Sequence, residues 1–445
     1  MQTLTTSALH ADYLVIGSGA MGMAFVDTLL QESDARIVMV DHHVGPGGHW
    51  NDAYPFVRLH QPSAIYGVNS RVLGSDALEG PGFNAGLYER ATAAELVCYY
   101  QQVMQDFVRS GRVQYFPMCD YVGEHDGLHY FRSRISGQPH CVQVRKKLVD
   151  STYFNTAVPS THARSYTVAP GVNCIAPNDL PHMAAGHSGY VVIGAGKTGM
   201  DTCLWLLENG ADPQTISWIM PRDAWHYNRA QVLQAEEFAQ QWLTSADAPR
   251  LDDSAEDRER VQQFFLAAEQ AGLMLRMDAA VVPRMFHSAT VSPAEWAALR
   301  SLPHIVRLGR VLHLAATHVE LEQGSLASDA QRLYIDCSAS AVQRRPTVPV
   351  FQGPRITLQM LRWPAPTFSA ALIAYLEAHG LDDAQNNALS TPLYMPDDPT
   401  DWLRLSLLNG NNMQSWFTHP GLLQWMVQSR LSGLAMVEQT ATENV

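Results

Sequence analysis

One short pattern occurs twice in this chain, and it limits the fold more than any other feature. Asp12-Tyr-Leu-Val-Ile-Gly17-Ser-Gly19-Ala20-Met21-Gly22 and, far downstream, Gly189-Tyr-Val-Val-Ile-Gly194-Ala-Gly196-Lys197-Thr198-Gly199 each read as a buried apolar strand running into a glycine turn. In such a turn the first glycine permits the reversal and the second lets the backbone approach a pyrophosphate. The third lets a helix pack closely on the strand. The helix that follows presents unpaired N–H groups to the phosphates. Two such turns so far apart cannot belong to one small βαβ unit. The pattern therefore predicts an α/β chain with two Rossmann-like dinucleotide-binding domains. With 445 residues, 46% of them hydrophobic, the chain can build two or three cores.

Each turn has a context that specifies it further. After the first, an amphipathic helix over Met21–Gln31 and a strand over Ala35–Val40 lead to Asp41. That acid stands about 20 residues past the turn, where a carboxylate accepts ribose hydroxyls. After the second, a helix through Met200–Glu208 stops at Gly210, and a strand over Thr215–Met220 ends at Pro221-Arg222. NAD-specific domains place an acid there. An arginine instead grips a 2′-phosphate through charge-assisted hydrogen bonds, which favours NADPH over NADH. Asp223 beside it opposes that reading, and Lys197 inside the turn is a further candidate to face a phosphate. The order and spacing of a Walker loop are missing.

Between the turns, Ala91–Val108 reads as helix and Tyr121–Val149 as a small antiparallel sheet; Asn228–Leu275 is predominantly helical, with an exposed acidic loop at Leu251–Glu259. Strand character returns at His304–Leu314, Val319–Glu322 and Arg332–Cys337, followed by a helix over Thr367–His379 and a fraying tail at Glu438–Val445. The predicted division is residues 1–185 for the first part of one nucleotide domain, 186–330 for an inserted second one with a helical insertion, and 331–445 for the remainder of the first.

The segment after Asp41 names a family. Asp41-His-His-Val-Gly-Pro-Gly47-Gly48-His49-Trp50, followed by Tyr54-Pro-Phe-Val-Arg58-Leu-His60, resembles the acid, Gly-Gly-x-Trp and Tyr-Pro-x-x-Arg of class B flavoprotein monooxygenases. That group contains the flavin-containing and Baeyer–Villiger monooxygenases. The resemblance implies that FAD lies on the first fingerprint, contacted by Gly17, Gly19, Ala20, Met21, Gly22, Asp41, Gly47, Gly48, Trp50 and Arg58. NADPH would lie on the second, contacted by Gly194, Gly196, Lys197, Thr198, Gly199 and Arg222. His60 stands where Baeyer–Villiger members have an Asp near the flavin, which makes it the candidate catalytic, acid–base group. The return strand ends in Cys337-Ser338-Ala339 without the family's glycine, and the linker Ala169–His187 lacks its F-x-G-x-x-x-H-x-x-x-W/P signature. Gln359 and Pro366-Thr367-Phe368-Ser369 either adjoin the flavin or simply open a helix, with Thr367 or Ser369 as N-cap. The implied activity is an FAD-dependent, NADPH-driven monooxygenase of N-, S- or Baeyer–Villiger type, acting on a small organic molecule with molecular oxygen. The alternatives are a flavin oxidase or reductase that inserts no oxygen, and a flavin-binding sensor without catalysis.

Composition excludes other classes. A formal net charge of −13 argues against nucleic-acid binding. The first residues lack a secretory pattern, and no apolar run approaches the roughly 18 residues of a membrane span. Six dispersed cysteines form no C-x-x-C and no zinc-ligand pair, which fits a reducing cytoplasm and argues against metal sites and disulfide reduction. Trp225, His226, Tyr227, Trp363 and Trp416 read as core more readily than as pocket lining.

Overall fold

The computed structural model describes residues 8–245, 248–340, 342, 344–379 and 382–434. The expected fraying of Glu438–Val445 lies outside these residues.

The first glycine turn belongs to an eight-stranded sheet. Its main path runs Phe351–Gln352, Arg355–Thr357, Pro139–Asp150, Leu9–Ile16, Ile37–Val40 and Val113–Phe116. From Arg355–Thr357 onward along this path the pairing is parallel. The hairpin Cys119–His125/Leu128–Ser133 joins antiparallel to the start of Pro139–Asp150. The antiparallel expectation for Tyr121–Val149 thus holds for the hairpin and for the first residues of Pro139–Asp150. Pro139–Asp150 is long enough, at 12 residues, to leave the hairpin and continue as a parallel neighbour of the first strand.

The second turn lies in a separate five-stranded sheet, ordered His304–Val306, Ile216–Ile219, Tyr190–Ile193, Leu333–Asp336 and Cys174–Ile175. All its strands are parallel. The return strand therefore completes the second sheet, in register with Tyr190–Ile193. The helices Val232–Leu243 and Ala255–Gln270 bear out the helical reading of Asn228–Leu275, the latter capped by Ser254 after the acidic loop.

The first fingerprint helix, Ala20–Glu32, is not amphipathic as its sequence suggested. Every residue from Ala20 to Leu29 is buried, because the equally apolar helix Pro366–Ala378 covers the side turned away from the sheet. A helix apolar on all faces is the signature of such double burial. Asp27 inside it is stabilised by Ser70, whose backbone N–H donates at 3.0 Å. Helix Pro366–Ala378 has Ala365 as its N-cap and no side-chain cap. Neither Thr367 nor Ser369 caps it: Ser369 Oγ instead accepts the N–H groups of Leu361 and Arg362 at 3.0 and 3.1 Å. Gln359 is tied to both backbone groups of Val348.

Candidate functional site

The two glycine turns are built alike. In each, the first glycine has positive φ, 94° at Gly17 and 121° at Gly194. Its N–H donates to the last residues of the next strand, Gly17 to Val40 O at 2.8 Å and Gly194 to Ile219 O at 3.0 Å. A side chain from a neighbouring strand end holds its carbonyl: Ser151 Oγ donates to Gly17 O at 2.7 Å, and Trp218 Nε1 to Gly194 O at 2.8 Å. A Cβ on the third glycine, Gly22 or Gly199, would strike the carbonyl of the first. The second glycines, Gly19 and Gly196, are the N-caps of the following helices, and neither helix end has a side-chain cap. Elsewhere Thr92, Ser254, Ser292, Asp382 and Asp398 supply such caps. The fingerprint helices thus keep their first N–H groups, at Ala20, Met21 and Gly22 and at Lys197, Thr198 and Gly199, for another acceptor.

The Gly-Gly-x-Trp segment closes on the first turn. Gly47 donates to Ser18 O at 2.9 Å, and a Cβ on Gly48, whose φ is 57°, would stand 2.9 Å from Gly19 Cα. Only glycine at both places allows this approach. Trp50 is buried and donates Nε1 to Tyr66 Oη at 3.1 Å. Asp41 is buried at the end of its strand, but its carboxylate is filled from within the protein. Ser18 donates its N–H and Oγ to Oδ2 at 2.5 and 2.8 Å. The N–H and Nδ1 of His43 contact Oδ1 at 2.8 and 3.0 Å. The other ring nitrogen of His43 meets Asp52 at 2.8 Å. Burial acts to raise the Asp41 pKa, yet the bonds from His43 and Ser18 outweigh it and leave the pKa lowered. The same bond to Asp41, opposed by burial and aided by Asp52, raises that of His43.

At the second turn Gly196 faces open space. Arg222 is exposed and has no ion pair among the described residues. Asp223, the neighbour that argued against a phosphate there, is engaged by Arg307, whose Nε and Nη2 donate to its two oxygens at 2.9 and 3.1 Å. Lys197 forms a largely buried ion pair with Asp201 one helical turn later. Tyr54, from the segment after Trp50, donates its hydroxyl to the other oxygen of Asp201 at 2.7 Å.

His60 is accessible to solvent but stands in crowded surroundings. Desolvation, reinforced by Lys197, Arg229 and Arg90 and only partly opposed by Glu295, lowers its pKa to about 3. Its imidazolium form is therefore disfavoured. Behind it Glu295 accepts from Arg229 at 2.9 Å, Asn84 at 2.8 Å and the Ser292 N–H at 2.8 Å. Burial acts to raise the Glu295 pKa, but Lys197, Arg229 and these donors bring it down to about 2.

The sequence-predicted residues therefore form two groups: Gly17 to Gly22 with Asp41, Gly47, Gly48 and Trp50, and Gly194 to Gly199 with Arg222. Arg58 lies apart, donating to Arg90 O at 3.1 Å. The five aromatic candidates, Trp225, His226, Tyr227, Trp363 and Trp416, are all buried, as expected of core residues. Sequence reasoning missed His43, Asp201, Arg229 and Glu295 as polar partners. The spacing of Lys197 and Asp201, four residues apart on one helix, was a readable signal. Ser292 and Glu295 form a capping box, a local pattern that marks a helix start and not a charge cluster. Cys203 and Cys337 are buried, and burial raises both thiol pKa values. Among the described residues no helix is long and apolar enough to cross a membrane.

No family model matches the chain. Over 428 residues it is 46% identical to "Uncharacterized protein Rv2000" of Mycobacterium tuberculosis, an alignment covering 96% of this chain and 78% of that protein. "Uncharacterized protein Mb2023" of Mycobacterium bovis matches equally. Among solved structures, an oxidized steroid monooxygenase bound to NADP superimposes with a TM-score of 0.53, 14% identity and coverage of 83% of this chain and 85% of that one. The open form of cyclohexanone monooxygenase gives 0.50, 14%, 86% and 88%.

Proposed function

Since the chain belongs to the family of these mycobacterial proteins and has the fold of the flavin monooxygenases, we propose that it is an FAD- and NADPH-dependent monooxygenase acting on a small organic substrate. The observation that carries the reading is the pair of glycine turns, each opening an uncapped helix, with Arg222 at one and the Gly47-Gly48 loop at the other. Two dinucleotide sites in one chain suit an electron donor and an electron acceptor, and bound FAD and NADPH supply the redox chemistry.

The residues fit both groups. In the first site the N–H groups of Ala20, Met21 and Gly22 take the FAD pyrophosphate, and Gly47, Gly48 and Trp50 adjoin the cofactor. Asp41 receives the ribose hydroxyls by exchanging the His43 imidazole, which Asp52 retains. Buried Thr367, whose Oγ has no protein partner, stands at the uncapped start of helix Pro366–Ala378 and offers a hydroxyl to the flavin. In the second site Gly196 admits the NADPH pyrophosphate and Arg222 grips the 2′-phosphate. His60 would offer a hydrogen-bonding imidazole near the flavin. The protein's part is to hold two cofactors and a substrate together and to limit the access of water.

Purified protein is expected to carry a flavin spectrum that NADPH bleaches in the absence of air. If no FAD binds, even on reconstitution, the proposal fails. Under labelled oxygen gas a monooxygenase places one labelled atom in the product. Peroxide release with no label in the product would instead mark an oxidase. In this reading residues 186–330 form the NADPH part together with the flanking strands Cys174–Ile175 and Leu333–Asp336, which share its sheet, and the rest of 1–185 and 331–445 forms the FAD part.

A further inference from the structure

The helix that opens at the second glycine turn presents Lys197, Asp201 and Trp205 at intervals of four residues, a spacing that stacks them on one face. All three meet partners along that face. Lys197 is paired with Asp201, and Asp201 takes the Tyr54 hydroxyl at 2.7 Å. Trp205 stacks on Phe56, with ring centroids 5.4 Å apart and an interplanar angle of 28°. Tyr54 and Phe56 in turn contact each other at 4.8 Å. Both belong to the short segment between Trp50 of the first site and His60. Tyr54 is 5% exposed, and burial together with the Asp201 carboxylate raises its pKa well above the ordinary tyrosine value. Its hydroxyl therefore remains a donor throughout the working pH range. The flavin-side loop is thereby fastened to the nicotinamide-side helix by one charge-assisted hydrogen bond and one ring stack, a turn apart.

We infer that Tyr54 is a positioning residue: acting through Asp201, it sets the distance between the two cofactor sites, while Lys197 on the other oxygen of Asp201 faces the phosphates of the second. The inference rests on the two-cofactor reading above. It divides the labour within one small network. Lys197 governs how tightly the dinucleotide is held, and Tyr54 governs how well its nicotinamide meets the flavin, a geometry to which transfer rates are steeply sensitive. Asp201 touches both partners and serves both purposes.

The test uses the flavin-loaded protein and three variants, with NADP⁺ affinity measured by titration and the limiting rate of flavin bleaching by NADPH measured without air. Lys197→Met is expected to weaken NADP⁺ binding about tenfold or more, with little change in the limiting rate. Tyr54→Phe is expected to leave flavin content and NADP⁺ affinity within about twofold and to slow bleaching about tenfold or more. Asp201→Asn should do both. Dithionite should reduce the flavin equally in all four proteins, which checks that the flavin itself is undisturbed. A Tyr54→Phe protein that bleaches at the parental rate overturns the inference, as does one whose only defect is weakened NADP⁺ binding. A parental protein that binds flavin but is not bleached by NADPH overturns the proposed function instead. In that event unfolding of the four proteins in urea, with a Tyr54→Phe/Asp201→Asn double variant, still reads the contact. Additive losses deny that the two side chains act together.

Discussion

Two single residues decide how the cofactor sites are read. Arg222 is exposed and its acidic neighbour is occupied by Arg307, so its charge is available to a phosphate. Removing a charge-assisted contact of this kind costs about 1.5–3 kcal/mol. Arg222→Ala should therefore raise the Michaelis constant for NADPH at least tenfold or so and leave that for NADH nearly unchanged; steady-state kinetics with both nucleotides check this. The second residue is His43, held between Asp41 and Asp52. Because its pKa is raised in the folded protein from the ordinary 6.5, protonated His43 favours the folded state. That stability is complete below the unfolded value and is lost as pH rises through the folded one. Asp52→Asn is expected to lower the melting temperature near pH 5.5, by an effect of about 0.5–1 kcal/mol, and to do little near pH 9. Thermal melts at the two pH values decide it; equal losses at both would deny the linkage. Asp41 was legible as an acid at the right distance. That its oxygens are already filled was not, because Ser18 and His43 reach it only once the turn has folded.

At the scale of elements, both glycine turns were readable to within a few residues, since strand, turn and helix are local and their chemistry is written in consecutive positions. The closure of Gly48 on Gly19 is also local in sequence pattern but tertiary in cause. Gly48→Ala combines a positive φ of 57° with a Cβ placed 2.9 Å from Gly19 Cα. It should destabilise the loop by about 1–3 kcal/mol and reduce the flavin bound per protein, measured by visible absorbance. The misreadings were of a different kind. Helix Ala20–Glu32 was expected to have a wet face and has none along Ala20–Leu29, because a helix more than 300 residues away covers it. Helix Pro366–Ala378 was expected to carry a hydroxyl cap, and Ser369 is occupied with the preceding loop instead.

Across the whole molecule, distant parts of the chain are joined by side chains that no periodicity could pair. Asn84, on the flavin side of the chain order, bonds to Glu295 in the second half, and Glu295 also holds Arg229, with both side chains under 10% exposed. Glu295→Gln leaves Arg229 without its buried counter-charge. It is expected to cost about 3 kcal/mol, read as a lower urea midpoint, whereas Glu256→Gln on an exposed helix face should change little. The sequence by itself determined the class of fold, the place of both phosphate turns and the cationic character of the second, because each depends on neighbours within about 30 residues. Tertiary structure alone decided which charges are free and which are filled. Arg222 is left open by Arg307, Asp41 is closed by His43, the His60 imidazolium is disfavoured by desolvation and by Lys197, Arg229 and Arg90, and Tyr54 is set on Asp201. The reason is physical: a side chain's charge state and hydrogen-bond occupancy depend on what surrounds it in space, and these partners come from strands, loops and helices that meet only when both sheets have formed.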